Sequence, residues 1–146
     1  MRQLVFALQF TGSASPTGDG KLHAKTTAPG QTFRASFGRG GVQGAVEPSG
    51  GEAAAFESDV EMGADGTFLE SGTITYGSSG SVRFKTVGRG VLGPSPNTDL
   101  QRGAVIWEVS SGQGALAGAS GLITSNFTVG AQGEVVDNQL AVLFLP

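Results

Sequence analysis

A chain of 146 residues with nine Lys and Arg, a net charge of −3 and a pI near 5 has the size of one domain and lacks the basic surface that nucleic acid requires. The absence of cysteine excludes a disulfide framework, a thiol nucleophile and a thiolate metal site, while 38% hydrophobic residues, nine of them Phe, supply a core despite 25 glycines. Charged residues are only 14%, so the chain is expected to cover part of its surface as a homo-oligomer, a dimer or trimer.

In chain order, residues 3–11 read as a first strand. Gln9 interrupts their apolar run and no small-residue cleavage site follows, so they are not read as a signal peptide. No window has the apolar length to span a bilayer, and the expected setting is the cytoplasm with no membrane partner. Residues 12–31 contain Gly-Ser-Ala-Ser-Pro-Thr-Gly-Asp-Gly and Thr-Thr-Ala-Pro-Gly, turn chemistry that predicts a long loop. That segment carries the single histidine, His23, expected to be solvent-exposed.

Short alternating segments follow at regular spacing. Phe33, Ala35 and Phe37 alternate with polar residues, and 42–47 is a further candidate strand. Ala54 to Met62 alternates strictly, Ala64-Asp65-Gly66 signals a hairpin, and 67–76 returns. Residues 81–92 continue beyond the turn at Gly77-Ser78-Ser79-Gly80. A second loop, Gly93 to Asp99, leads to strands over 103–110, 121–129 and 134–145, with at most one helical turn in 113–120.

No apolar three-to-four spacing occurs over any capped window, so the chain is expected to be a single all-β domain, 1–146. Two residue patterns favour a barrel over a sandwich. Val105, Trp107 and Val109 alternate with Ala104 and Ile106, and 140–145 is likewise apolar on both faces, while Gly72, Gly88 and Gly90 sit inside strands where closure demands coiling.

The stretch Gly103-Ala104-Val105-Ile106-Trp107-Glu108-Val109, followed by Gly112-Gln113-Gly114-Ala115-Leu116-Ala117-Gly118-Ala119-Ser120-Gly121, resembles the signature of the allene oxide cyclase and dirigent-like β-barrels. The likeness covers residues 60–146, including the hairpin from Gly66 to Gly77. It implies an eight-stranded antiparallel up-and-down β-barrel with a cavity for a hydrophobic small molecule. Among such barrels are cyclases of fatty-acid epoxides, proteins that steer radical coupling and barrels that help cyclise polyketides. The activity implied is a cyclisation or isomerisation without a cofactor. No catalytic residue of the plant enzymes carries over individually.

Placing charges in water sets the expected parity. Glu57, Asp59, Glu61, Arg83, Lys85 and Arg89 go outside, which turns Phe56, Val60, Met62, Val82 and Phe84 inward. The row Thr67, Thr73 and Thr75 goes outside and turns Phe68, Glu70, Ile74 and Tyr76 inward. Over 103–110 either Trp107 or Glu108 faces in. The candidate general acids or bases are therefore Glu70 and Glu108, whose pKa a greasy lumen would raise, assisted by Tyr76. Phe56, Met62, Phe68, Phe84 and Trp107 are the candidate ligand-lining residues, and Asn126 is placed to hold a ligand carbonyl or hydroxyl. The competing reading puts the polar groups at barrel rims, bonded to turns or water.

One histidine and no cysteine leave no ligand set for a metal. Gly88-Arg89-Gly90-Val91-Leu92-Gly93 matches a dinucleotide fingerprint in letters only, because Pro94-Ser95-Pro96 prevents the helix that the fingerprint needs. A carrier without turnover and a structural subunit with a filled lumen are the alternatives to an enzyme.

Overall fold

Period-two patterning governs the backbone. The computed structural model describes residues 1–146, and it consists of eleven strands without a helix. They are β1 (Arg2–Gly18), β2 (Lys21–Ala28), β3 (Gln31–Gly38), β4 (Gly41–Pro48), β5 (Ala54–Met62), β6 (Thr67–Tyr76), β7 (Gly80–Thr86), β8 (Gly90–Pro94), β9 (Leu100–Gly114), β10 (Ser120–Gly130) and β11 (Glu134–Leu145). On β5, Ala54, Phe56 and Ser58 are buried while Ala55, Glu57 and Asp59 are exposed; β11 alternates in the same way from Val135 to Leu145.

Eight strands close on themselves into an antiparallel barrel. The circular order is β1, β2, β5, β6, β7, β9, β10 and β11, and β11 returns to β1. The short β8 pairs with both β6 and β9 and completes the wall where β7 stops. Closure leaves the barrel without a free sheet edge.

The expected loop over 12–31 is not a loop. β1 runs on to Gly18 and pairs Thr11–Gly18 with Thr27–Lys21 of β2, through a hairpin turn at Gly18-Asp19-Gly20. Small polar residues do not rule out a strand when a neighbour on each side supplies the ladder. Pro16 lies where the register shifts, which is where a strand tolerates a residue without an N–H. The second expected loop is shortened for the same reason, since Gly93 and Pro94 belong to β8.

β3 and β4 are strands, as the alternation predicts, but they are not part of the barrel. They form a separate two-stranded hairpin that leaves after Ala28 and returns at Ala54, residues that face each other in the β2–β5 ladder. The hairpin is almost entirely exposed, with Phe37 81% and Val42 66% accessible. It meets the barrel at the Gln31 side chain, which accepts the backbone N–H of Gln9, and at Phe33, which shares an outer groove with Ala7, Ile106 and Leu140.

The two barrel ends differ. At one end the rings and branches of Phe10, Ile74, Val82, Phe84, Ile123 and Leu143 fill the interior. The glycine-rich segment between β9 and β10 adds Leu116 and Ala119 to this core. Its turn depends on left-handed backbone at Gly114 (φ 65°) and Gly118 (φ 76°), where a side chain is strained. The other end is ringed by the turns at 18–21, 63–66, 95–99 and 131–133, and there the interior is not filled.

Candidate functional site

Beneath the turn-ringed end lies a cavity of about 460 Å³. Its apolar wall comes from inward positions of eight strands, with Leu22, Phe56, Val60, Met62, Phe68, Leu92, Trp107 and Phe127 foremost. Two of these rings depend on missing side chains. A Cβ on Gly90 would strike the Phe68 ring, and one on Gly103 would strike Phe127, so these wall glycines let aromatic rings lie flat on the sheet.

Within the greasy wall sits a polar cluster. Glu70, on β6 between outward Leu69 and Ser71, is only 8% exposed. Ser58 Oγ donates to its Oε1 at 2.6 Å, and Trp107 Nε1 donates to its Oε2 at 3.2 Å. Thr86 Oγ1 accepts from the Glu70 N–H (2.6 Å) and donates to the Glu70 carbonyl (2.8 Å), anchoring its backbone where β7 ends. Loss of water pushes the Glu70 carboxyl up to about 7, the nearby Asp137 charge adds to the rise, and the Ser58 and Trp107 hydrogen bonds oppose it.

Asp137, on β11, is 5% exposed and lines the same cavity. Ser125 Oγ donates to its Oδ1 at 2.5 Å and Gln139 Nε2 to its Oδ2 at 2.8 Å. Burial pushes this carboxyl up to about 6, against both hydrogen bonds. Thr26 lines the same cavity: it is 2% exposed, and its hydroxyl has no hydrogen-bond partner.

The structure divides the residues singled out by sequence. Glu70, Phe56, Met62, Phe68 and Trp107 all line the cavity. Phe84 faces inward but belongs to the packed end, its ring stacked on Phe56 at 5.2 Å between centroids. Tyr76 also faces inward away from the cavity: it meets Phe6 edge-on at 4.8 Å, its hydroxyl is unpartnered, and burial raises its pKa. Glu108 and Asn126 point out of the barrel. Once Trp107 takes the interior its neighbour Glu108 must face water, and it pairs with Lys85 at 3.1 Å. Asn126 follows inward Ser125 and is exposed.

His23 is half-exposed on the outer face of β2, its Nδ1 2.9 Å from Asp59 and its Nε2 2.8 Å from Glu57. The hydrogen bonds to Asp59 and then Glu57 raise its pKa.

Ser58, Ser125, Thr26 and above all Asp137 escape the sequence reading. The rule that charges face water turns Asp137 outward, and β11 is apolar on both faces, so alternation alone cannot choose its parity. Ala141 and Leu143, both fully buried, share Asp137's parity. Size does not separate the two rows either, since Val135, Leu143 and Leu145 share the inner one with Ala141, so nothing in the sequence marks Asp137.

Two buried carboxyls that titrate near neutrality, in a cavity open at one end, can hold or release a proton beside a bound molecule. Compared with models of protein families, with curated proteins and with solved structures, the chain matches none.

Proposed function

We propose that the barrel binds a hydrophobic small molecule in its lumen and that Glu70 exchanges a proton with it in a cofactor-free cyclisation or isomerisation. The observation that carries this reading is a nearly fully buried carboxyl, its pKa pushed up to about 7, on the wall of a 460 Å³ apolar cavity. That volume is in the usual range for small-molecule sites. A water-poor pocket fixes the conformation of a flexible substrate, and an acid poised near pH 7 is matched to general acid–base work. The likeness of residues 103–121 to allene oxide cyclase and dirigent-like barrels supports the same reaction class. The low charge content and the apolar outer wall support work as a homo-oligomer.

A carrier without turnover is the second reading, and one feature favours it. All four carboxylate oxygens of Glu70 and Asp137 already accept a hydrogen bond from the protein, as structural buried carboxyls do.

Binding is tested with N-phenyl-1-naphthylamine, a neutral apolar fluorophore whose emission rises in dry sites. Saturable binding at one site per chain is expected, with energy transfer from Trp107, and Ala14→Phe at the half-buried mouth should weaken it at least tenfold. No saturable binding, or binding indifferent to that substitution, overturns the lumen reading.

A further inference from the structure

We propose that the natural guest of the lumen is a hydrophobic amine, its ammonium group held by the carboxyls of Glu70 and Asp137 and the free hydroxyl of Thr26. This rests on the reading of the lumen as a small-molecule site and narrows it to one charge class.

The ionisable groups on the cavity wall are of one sign. Glu70 and Asp137 line it, and no Lys, Arg or His does. Apart from each other, the groups that face them are neutral: Ser58 from β5 and Trp107 from β9 on Glu70, Ser125 from β10 and Gln139 from β11 on Asp137. When both are ionised, two buried acids repel each other and lack solvation, and a bound cation would offset both costs. The independent mark of a ligand is Thr26 Oγ1, an unpartnered hydroxyl in a side chain 98% withdrawn from solvent and set on the cavity wall. A buried hydroxyl left without a partner carries a penalty that a bound donor removes.

The chemistry matches an ammonium in number as well as sign. It carries three N–H donors and no acceptor, and the wall offers two carboxyls and one hydroxyl. Phe56, Phe68, Trp107 and Phe127 supply faces for the hydrocarbon part and for the cation. A carboxylate guest would add a third negative charge to a dry site, and an alcohol would leave the two acids uncompensated.

The test compares octylamine, octan-1-ol and octanoate, which share a chain length and differ in the head group, by calorimetric titration of the intact protein at pH 5 and pH 8. At pH 8 octylamine should bind at least tenfold more tightly than octan-1-ol, and octanoate more weakly than both. Octylamine affinity should rise at least tenfold from pH 5 to pH 8 as the two carboxyls ionise, with protons released on binding. Glu70→Gln and Asp137→Asn should each move the amine-to-alcohol ratio toward one. Thr26→Val, which changes no charge and keeps the shape, should reduce that ratio several-fold and serves if either carboxyl variant does not fold. Octan-1-ol binding as tightly as octylamine, or octanoate binding best, overturns the amine while leaving a small-molecule lumen in place. Failure of all three together with the neutral fluorophore overturns both.

Discussion

Glu70 shows how a single side chain can be held at odds with the fold that surrounds it. Its folded pKa of about 7 lies above the usual carboxylate value of 4.5, so between those limits the native chain binds a proton that the unfolded chain releases. The native state is favoured below about pH 4.5, and this contribution is lost as pH rises to about 7 and stays lost above it. The shift corresponds to roughly 3 kcal/mol, on the order of 10 °C in Tm for a domain of this size. Glu70→Gln keeps the shape: the amide oxygen can accept from Trp107 and the amide nitrogen can donate to Ser58 Oγ. Thermal unfolding of the two proteins side by side should show little difference at pH 4.5 and a clear gain for Glu70→Gln at pH 8. A variant no more stable at pH 8 would mean that the carboxyl is not strained by burial. The single Trp107 reports the same event, because its indole N–H touches the titrating group. Its emission should titrate near pH 7 in the natural protein and not in the variant.

At the scale of strands and hairpins, legibility depended on how much contrast a segment carries. β5 and β6 can be read with their inward faces because charges on β5 and threonines on β6 alternate with Phe, Val, Ile or Met. The first hairpin is illegible because residues 11–18 have no large apolar side chain and are mostly exposed, so the strand signal there comes from its neighbours. The β3–β4 hairpin was legible as strands but not as a projection, since alternation gives no account of which sheet a strand joins. Its independence has a consequence for folding. Gly30 and Ser49 are bonded across its base, and no ladder links it to the barrel. Replacing residues 31–48 by Asn-Gly should close that base as a tight turn. The shortened chain should keep its far-ultraviolet circular dichroism and its fluorophore binding, with Tm within a few degrees of the full chain. A collapse of either would show that the hairpin is part of the barrel's folding unit.

Over the whole molecule, the two faces of the wall carry different messages. Antiparallel register aligns Val5 on β1, Val142 on β11 and Leu122 on β10 in one outward row. Ala7, Leu140, Thr124 and Ile106 form the next across β1, β11, β10 and β9. Val5, Leu122, Leu140 and Ile106 are all exposed, so one side of the outer surface is apolar. The adjoining strands β2 and β5 carry Lys21, Lys25, Glu57, Asp59 and Glu61, with His23 between two of those acids. A surface split in this way suits association through the apolar side. Light scattering should therefore give a mass that is a multiple of the 14.7 kDa chain. Putting a charge in the middle of the patch, Leu140→Lys, should return the mass toward that of one chain. Because Leu140 is half exposed and faces away from the core, the substitution should leave the barrel's own circular dichroism unchanged. A single-chain mass for the natural protein at working concentration would dissociate the apolar wall from assembly altogether. A Leu140→Lys oligomer as large as the natural one would place the contact elsewhere on the surface. The lumen opens at the turn-ringed end and the patch runs along the staves, so an assembly through the patch leaves every mouth free.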